Sequence, residues 1–139
     1  MPKSERIPEG FLDLFERPVV AHLATLMPDG TPQVTPVWID YDGEHLLVNT
    51  VRDRQKDRNM SARERVGLDM VDPDDPFRYL SVRGRVVEAT EEGGGAHIDR
   101  LALRYLGTLY PRHDPHRPRK LFRIAPEQVV YQERAGEVR

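Results

Sequence analysis

The chain has no cysteine among its 139 residues. That absence excludes disulfides, thiolate metal sites, iron–sulfur clusters and a cysteine nucleophile, so any redox chemistry must be carried by a bound cofactor. Aromatic residues are scarce at 7%, with one tryptophan, and net charge is −2. Single-stranded nucleic acid needs stacking platforms among basic residues, so no nucleic-acid partner is expected. No apolar run is long enough to span a bilayer, and the opening "MPKSERIPEGFLDLFERP" has no hydrophobic region of the signal-peptide kind. The expectation is a cytoplasmic protein with no membrane partner. Also missing are G-x-G-x-x-G, the Walker sequence, G-x-S-x-G and H-E-x-x-H, which removes the usual supports for nucleotidase, hydrolase and zinc-protease readings.

What is present is arginine, and it is clustered. Of 21 Lys and Arg, 18 are arginine; six basic residues fall within 51–65 and five within 111–123. A planar guanidinium suits phosphate and carboxylate. GC-rich codons would account for the number but not for the clustering.

The length suits one domain, 1–139, and there are no repeats or low-complexity tracts. In residues 8–16, "PEGFLDLFE", Phe11, Leu14 and Phe15 share one face of a short helix. Three apolar runs follow, separated by Pro28-Asp29-Gly30 and by Asp42-Gly43, both turn sequences. They predict an antiparallel meander over 19–27, 33–41 and 45–51. Pro36 lies inside the middle strand, where it cannot donate to a ladder, so the sheet should bulge or split near it. A fourth strand is expected over 65–72 and a fifth over 77–90, with Gly84 at a bend or bulge. Residues 93–107 then predict an amphipathic helix with Ile98, Leu101, Ala102 and Tyr105 on one stripe and Gly107 as its stop. A last strand spans 121–132. Six antiparallel strands and two or three short helices make a mainly β (α+β) fold, closed or nearly closed into a barrel because closure removes sheet edges.

The strongest site signal follows the third strand, "NTVRDRQKDRNM" over 49–60. Thr50 or Asp53 is a candidate N-cap for a helix running to about Ala62. Backbone N–H groups, the helix dipole and the side chains of Arg54, Lys56 and Arg58 would then face one way, an arrangement that binds phosphate. The bland alternative is a solvated helix on which Asp53, Asp57 and Glu64 pair with the bases; it is opposed by a net charge of +3 over 51–65. The second basic cluster, Arg112 to Arg123, could complete an anion groove or be a charged loop, and the loop is the favoured reading. His113 and His116 form H-x-x-H, but Pro115 denies them a helix and no carboxylate with ligand spacing follows, so no metal site is expected. His22 is read as a strand residue, His97 as a helix-surface residue, and Gly93-Gly94-Gly95 as a flexible connector.

The pattern L-A-T-x-x-x-D-G-x-P at Leu23 to Pro32, with R-x-K-x-R-N at Arg54 to Asn59, R-G-R at Arg83 to Arg85 and Y-L-G at Tyr105 to Gly107, resembles the pyridoxamine 5′-phosphate oxidase-like split β-barrel proteins. Within them it is most similar to the branch that uses the deazaflavin coenzyme F420. The resemblance runs from about Phe11 to Tyr131. It implies a six-stranded split barrel and a homodimer with cofactor sites at the subunit interface. It also implies cofactor phosphate on Arg54 and Lys56, with Arg58 helping, and a ring lying against Thr35, Pro36, Val37 and Trp38 near Asn49 and Thr50. Tyr79 matches a position that reaches the cofactor from the other subunit. The implied activity is hydride transfer between coenzyme F420 and a small electron-poor organic substrate, with no side chain named as catalytic. Two alternatives stand beside it: an FMN-binding flavoprotein of the same fold, and a non-catalytic protein that only binds the cofactor. The chain ends in "VVYQERAGEVR", without the tryptophan and Arg-x-His segment of the true pyridoxamine phosphate oxidases, which argues against the vitamin B6 reaction.

Overall fold

The computed structural model describes residues 3–133. Among the described residues there are eight strands: β1 (Lys3–Ser4), β2 (Ala21–Leu26), β3 (Pro32–Val37), β4 (Ile39–Tyr41), β5 (Leu46–Val51), β6 (Arg65–Asp72), β7 (Asp75–Thr90) and β8 (Arg119–Gln132). A 3₁₀ helix (Glu9–Phe15) precedes β2, helix α1 (Gln55–Ala62) follows β5, and helix α2 (Gly94–Leu106) joins β7 to β8. The strands form one antiparallel sheet in the order β3-β2-β6-β7-β8-β5-β4, with β1 continuing the β5 side of β8.

Six strands were expected and eight occur, for two reasons. The first is β1, which pairs with Val129 and Val130. The second is the middle strand of the expected meander, which splits near Pro36 as expected, with the break falling at Trp38. Residues 32–37 pair with β2, whereas 39–41 pair with β5. The two ends of the sheet are thus halves of one chain segment, and the curled sheet meets itself at Trp38: a split barrel. Pro36 is tolerated because β3 is paired on one side only, opposite His22 in β2.

The seam needs partners for backbone groups that no ladder serves. Tyr105 of α2 supplies them. Its hydroxyl accepts from the Ile39 N–H at 3.1 Å and donates to the Val19 carbonyl, tying the start of edge strand β4 to the segment that enters β2. Inside the barrel Leu23, Met70, Leu80, Phe122 and Ile124 are buried, joined by Phe11, Leu14 and Phe15 from the 3₁₀ helix as their spacing predicts. Each such side chain contributes roughly 1.5–3 kcal/mol on burial.

Two glycines are set by close approach. At Gly84, where the β7–β8 register shifts, a Cβ would lie 2.6 Å from the Ala125 carbonyl oxygen. At Gly94 it would lie 2.3 Å from that of Arg119. Gly94 is therefore not part of a loose connector; it is the buried first residue of α2, and it lets the helix sit directly on β8. Gly107, at φ 78°, ends α2 as expected.

Candidate functional site

Strand alternation sorts the side chains around the seam. On β5, Leu46 and Val48 face the barrel core, so Thr50 does too, and Asn49 faces outward beneath α2. On β8, Phe122 and Ile124 face the core and Arg119 faces out. Asn49, Arg119 and α2 thereby border a cavity of about 300 Å³ at the seam, whose apolar wall includes Pro36, Val37, Trp38 and Ile98. Trp38 is fixed by stacking on Tyr105, ring centroids 5.1 Å apart and 11° from parallel, and meets Tyr110 edge-on.

Arg54 and Lys56 enter the same cavity. Neither expected N-cap serves α1: the cap is Arg54 in extended conformation, and no side chain bonds to the helix start. Asp53 instead occupies a left-handed turn (φ 73°). Buried Asp57 holds that turn from within the helix, accepting the Asp53 N–H at 2.8 Å, Ser61 at 3.0 Å and Lys120 at 2.6 Å. Asn59, fully buried, donates to Thr25 at 3.0 Å and pins α1 to β2. The acids and the asparagine of the basic motif thus build the turn that aims its cations. The first-turn N–H groups have no intrahelical partner by helix geometry.

Among the described residues no carboxylate lines this cavity. Among the described residues no hydrogen bond or ion pair engages the side chains of Arg54 or Lys56, while Arg52 pairs with Glu91 at 3.0 Å and Arg104 with Asp40 at 3.0 Å. Burial pushes the Lys56 ammonium below its ordinary 10.5, and the neighbouring Arg54 and Arg119 push the same way. Burial likewise lowers Arg119, against its bond to the Tyr110 hydroxyl, with Arg54 and Arg117 adding repulsion. Three uncompensated cations around an aromatic-walled hollow are costly to the protein alone and suit an anion.

Of the expected site residues, the structure brings Pro36, Val37, Trp38, Asn49, Arg54 and Lys56 to one cavity. Thr35 does not line it. Thr50 is directed into the barrel, where its hydroxyl is buried without a partner among the described residues. Arg58 folds back on its own turn, bonding the Asp53 carbonyl and Gln55 Oε1. Tyr79 lies on the outer face of β7, opposite Val71 and Gln132, away from its own chain's cavity.

Val20, Ile98 and Tyr110, none of them an expected site residue, also stand on the cavity wall, and so does Arg119 of the second basic cluster, for which the sequence favours a loop over an anion groove. Sequence reasoning also misplaced His97. That side chain is 1% exposed, held between Asp40 at 3.2 Å and Asn49 at 3.1 Å, not on the surface of α2. The loop read as merely charged is partly ordered by Asp99, which accepts from the Tyr110 N–H at 3.0 Å and bonds His113 at 2.8 Å. It borders a second cavity of about 520 Å³, lined by Arg112 and Arg117 together with Glu91 and Asp114, and sharing Arg54, Tyr110 and Arg119 with the first. The described residues contain no cluster of metal-ligating side chains, and no helix among them is long and apolar enough to cross a membrane.

A family model for pyridoxamine 5′-phosphate oxidase matches residues 7–133. The chain belongs to that family. Among solved structures it is similar to an F420 reductase, at 40% identity and a TM-score of 0.80, over 89% of this chain and 98% of that one. It is also similar to a conserved hypothetical protein of Mycobacterium tuberculosis, at 25% identity and TM-score 0.70, covering 94% and 88% of the two chains. HupZ of Group A Streptococcus, at 20% identity and TM-score 0.64 over 90% and 98%, shares the fold. Comparison with curated proteins gives no match.

Proposed function

We propose that this protein is an oxidoreductase that binds coenzyme F420 at the barrel seam and uses it to reduce a small, electron-poor organic substrate. The observation that carries the reading is the cavity at Trp38. It joins a flat aromatic and aliphatic wall to Arg54 and Lys56, two cations with no ion-pair partner among the described residues, as a planar ring bearing a phosphate requires. The choice of deazaflavin over FMN draws support from the similarity to an F420 reductase. It draws further support from the second cavity, where Arg54, Arg112, Arg117 and Arg119 outnumber Glu91 and Asp114 and offer an acidic oligoglutamate tail a place beyond the phosphate.

In this reading the bound deazaflavin supplies hydride chemistry. Arg54 and Lys56 hold the phosphate, Pro36, Trp38 and Ile98 press on the ring and exclude water, and Arg119 counters charge near Asn49. No lining side chain has a base placed to make it a nucleophile, so none is assigned as catalytic. The substrate completes the pocket together with a second copy of the chain. Support for a homodimer comes from the outer face of β3, β2, β6 and β7, where Val34 on β3 is 61% exposed and Val71, 38% exposed, stands opposite Tyr79. Sedimentation should give the dimer mass for the wild type and the monomer mass for Val71→Glu.

The deciding experiment titrates the purified protein with coenzyme F420 and separately with FMN, followed by the fluorescence of Trp38, the sole tryptophan. Tight binding of F420 alone supports the proposal. FMN alone replaces it with a flavoenzyme, and binding without turnover across a broad substrate panel makes the protein a cofactor carrier.

A further inference from the structure

Asn49 is a neutral amide in a cavity that also carries Arg54, Lys56 and Arg119, and its orientation can be assigned from its partners. Arg119 only donates, so the group 3.4 Å from its guanidinium is Oδ1. Nδ2 then spends both hydrogens, one on the Gly94 carbonyl at 2.9 Å and one on His97 Nδ1 at 3.1 Å. His97 Nδ1 must therefore be the accepting nitrogen, and Nε2–H donates to Asp40 at 3.2 Å. Asp40 in turn is bonded by Arg104 at 3.0 Å, and Arg104 also holds the Ile39 carbonyl beside the seam. One buried series of bonds runs from the split strand through α2 to Arg119.

We propose that His97 is a positioning residue for the anion site: its accepting Nδ1 fixes the Asn49 amide, which presents Oδ1 to Arg119 and holds that guanidinium at the cavity wall. The proposal deepens the functional reading above, since the anion it serves is the cofactor phosphate or the adjoining acidic groups. Were Nδ1 lost as an acceptor, Asn49 could turn and offer N–H groups to a guanidinium, and Arg119 would keep only its contacts with the Tyr110 hydroxyl and ring. The bond from His97 to Asp40, by contrast, holds α2 on β4 and does not touch the cavity.

Two substitutions separate these roles. Asparagine at 97 keeps an acceptor where Nδ1 stands and loses the donor to Asp40; glutamine can keep the donor to Asp40 and loses the acceptor to Asn49. Trp38 fluorescence titrations with inorganic pyrophosphate and with coenzyme F420 should give His97→Asn an affinity within about twofold of wild type. His97→Gln should bind both probes roughly tenfold more weakly. Adding His97→Gln to Arg119→Met should cost nothing beyond Arg119→Met alone, because the two changes remove one interaction. Equal losses in the two His97 variants, no loss in either, or additivity with Arg119→Met would overturn the proposal and leave His97 a packing residue. If His97→Gln does not fold, Asn49→Leu takes its place in the same double-variant comparison. A wild type that binds pyrophosphate but neither F420 nor FMN refutes the functional reading while the pyrophosphate series still decides this one. A wild type that binds no probe refutes both.

Discussion

Replacing Lys56 by methionine keeps the length of the side chain and removes its charge. At 4 Å and an effective dielectric of 20 a lysine–phosphate attraction is about 4 kcal/mol. Solvent screening at a half-open cavity reduces it to the range of a charge-assisted hydrogen bond, about 1.5–3 kcal/mol. The dissociation constant for coenzyme F420 should therefore rise roughly 10- to 100-fold, with Arg54 and Arg119 retaining the remainder. The free protein should respond in the opposite sense. Burial and two neighbouring guanidinium groups disfavour the charged ammonium, lowering its pKa from 10.5, so the native state bears a penalty wherever Lys56 is protonated. The penalty is full below the folded-state value and fades as pH rises through it toward 10.5. Lys56→Met should accordingly melt at the wild-type temperature or about 1–2 °C above it at neutral pH, and the advantage should shrink in alkali. The assay pairs fluorescence titration with thermal unfolding between neutral and alkaline pH. A melting temperature lowered by more than about 5 °C would make Lys56 structural, and unchanged affinity would remove the anion from this cavity.

Gly94→Ala should lower the melting temperature by several degrees, since overpacking against the Arg119 carbonyl costs about 1–3 kcal/mol; Gly95→Ala, whose nearest neighbour is His113 at 3.8 Å, should be neutral or stabilising by the helix propensity of about 1 kcal/mol. Tyr105→Phe should cost about 1–3 kcal/mol in urea unfolding by orphaning the Ile39 N–H and Val19 carbonyl, and should alter Trp38 emission through its stacking partner. Burial would raise the Asp40 carboxyl, but bonds from His97 and Arg104 prevail and hold it at about 2. The advantage of wild type over Asp40→Asn in urea unfolding should be full above the ordinary 3.8 and decline as pH falls toward 2; a difference that stays constant across that range would contradict this assignment.

Local chemistry made much of this legible. Turn sequences at Pro28-Asp29-Gly30 and Asp42-Gly43 bound the hairpins, and a proline inside a strand required that strand to lack a neighbour. Which residue carried the break was not local information: Trp38 becomes the seam because Tyr105, 67 positions later, stacks on it and serves the freed backbone. His97 shows a signal that was available and misread. It lies three residues after Gly94 and four before Leu101, on the buried stripe of α2, but a polar residue on an apolar stripe declares its partner only in three dimensions. That partner, Asp40, is 57 positions away. Tyr110 and Arg119 were hidden differently, in a proline-rich stretch whose composition reads as exposed loop. Only the β5–β8 register puts Arg119 opposite Val51 and near Asn49.

The distribution of charge argues that the seam is a site rather than an accident of arginine content. The chain has 23 acidic residues against 21 basic ones, so acids are not in short supply. Elsewhere they are spent on the bases: Asp13 and Asp72 bridge Arg17 and Arg78, Glu91 meets Arg52, and Asp57 takes Lys120. Asp57 could have faced Lys56, its chain neighbour, yet helix geometry turns it inward to hold the Asp53 turn. Asp40 approaches the cavity from behind, but His97 and Arg104 occupy its oxygens and Asn49 stands between it and Arg119. A fold selected for stability alone would gain by moving one carboxylate into the hollow. Leaving Arg54, Lys56 and Arg119 unanswered there costs stability that an anionic ligand returns on binding, which is why the Lys56 substitution is expected to divide affinity from stability.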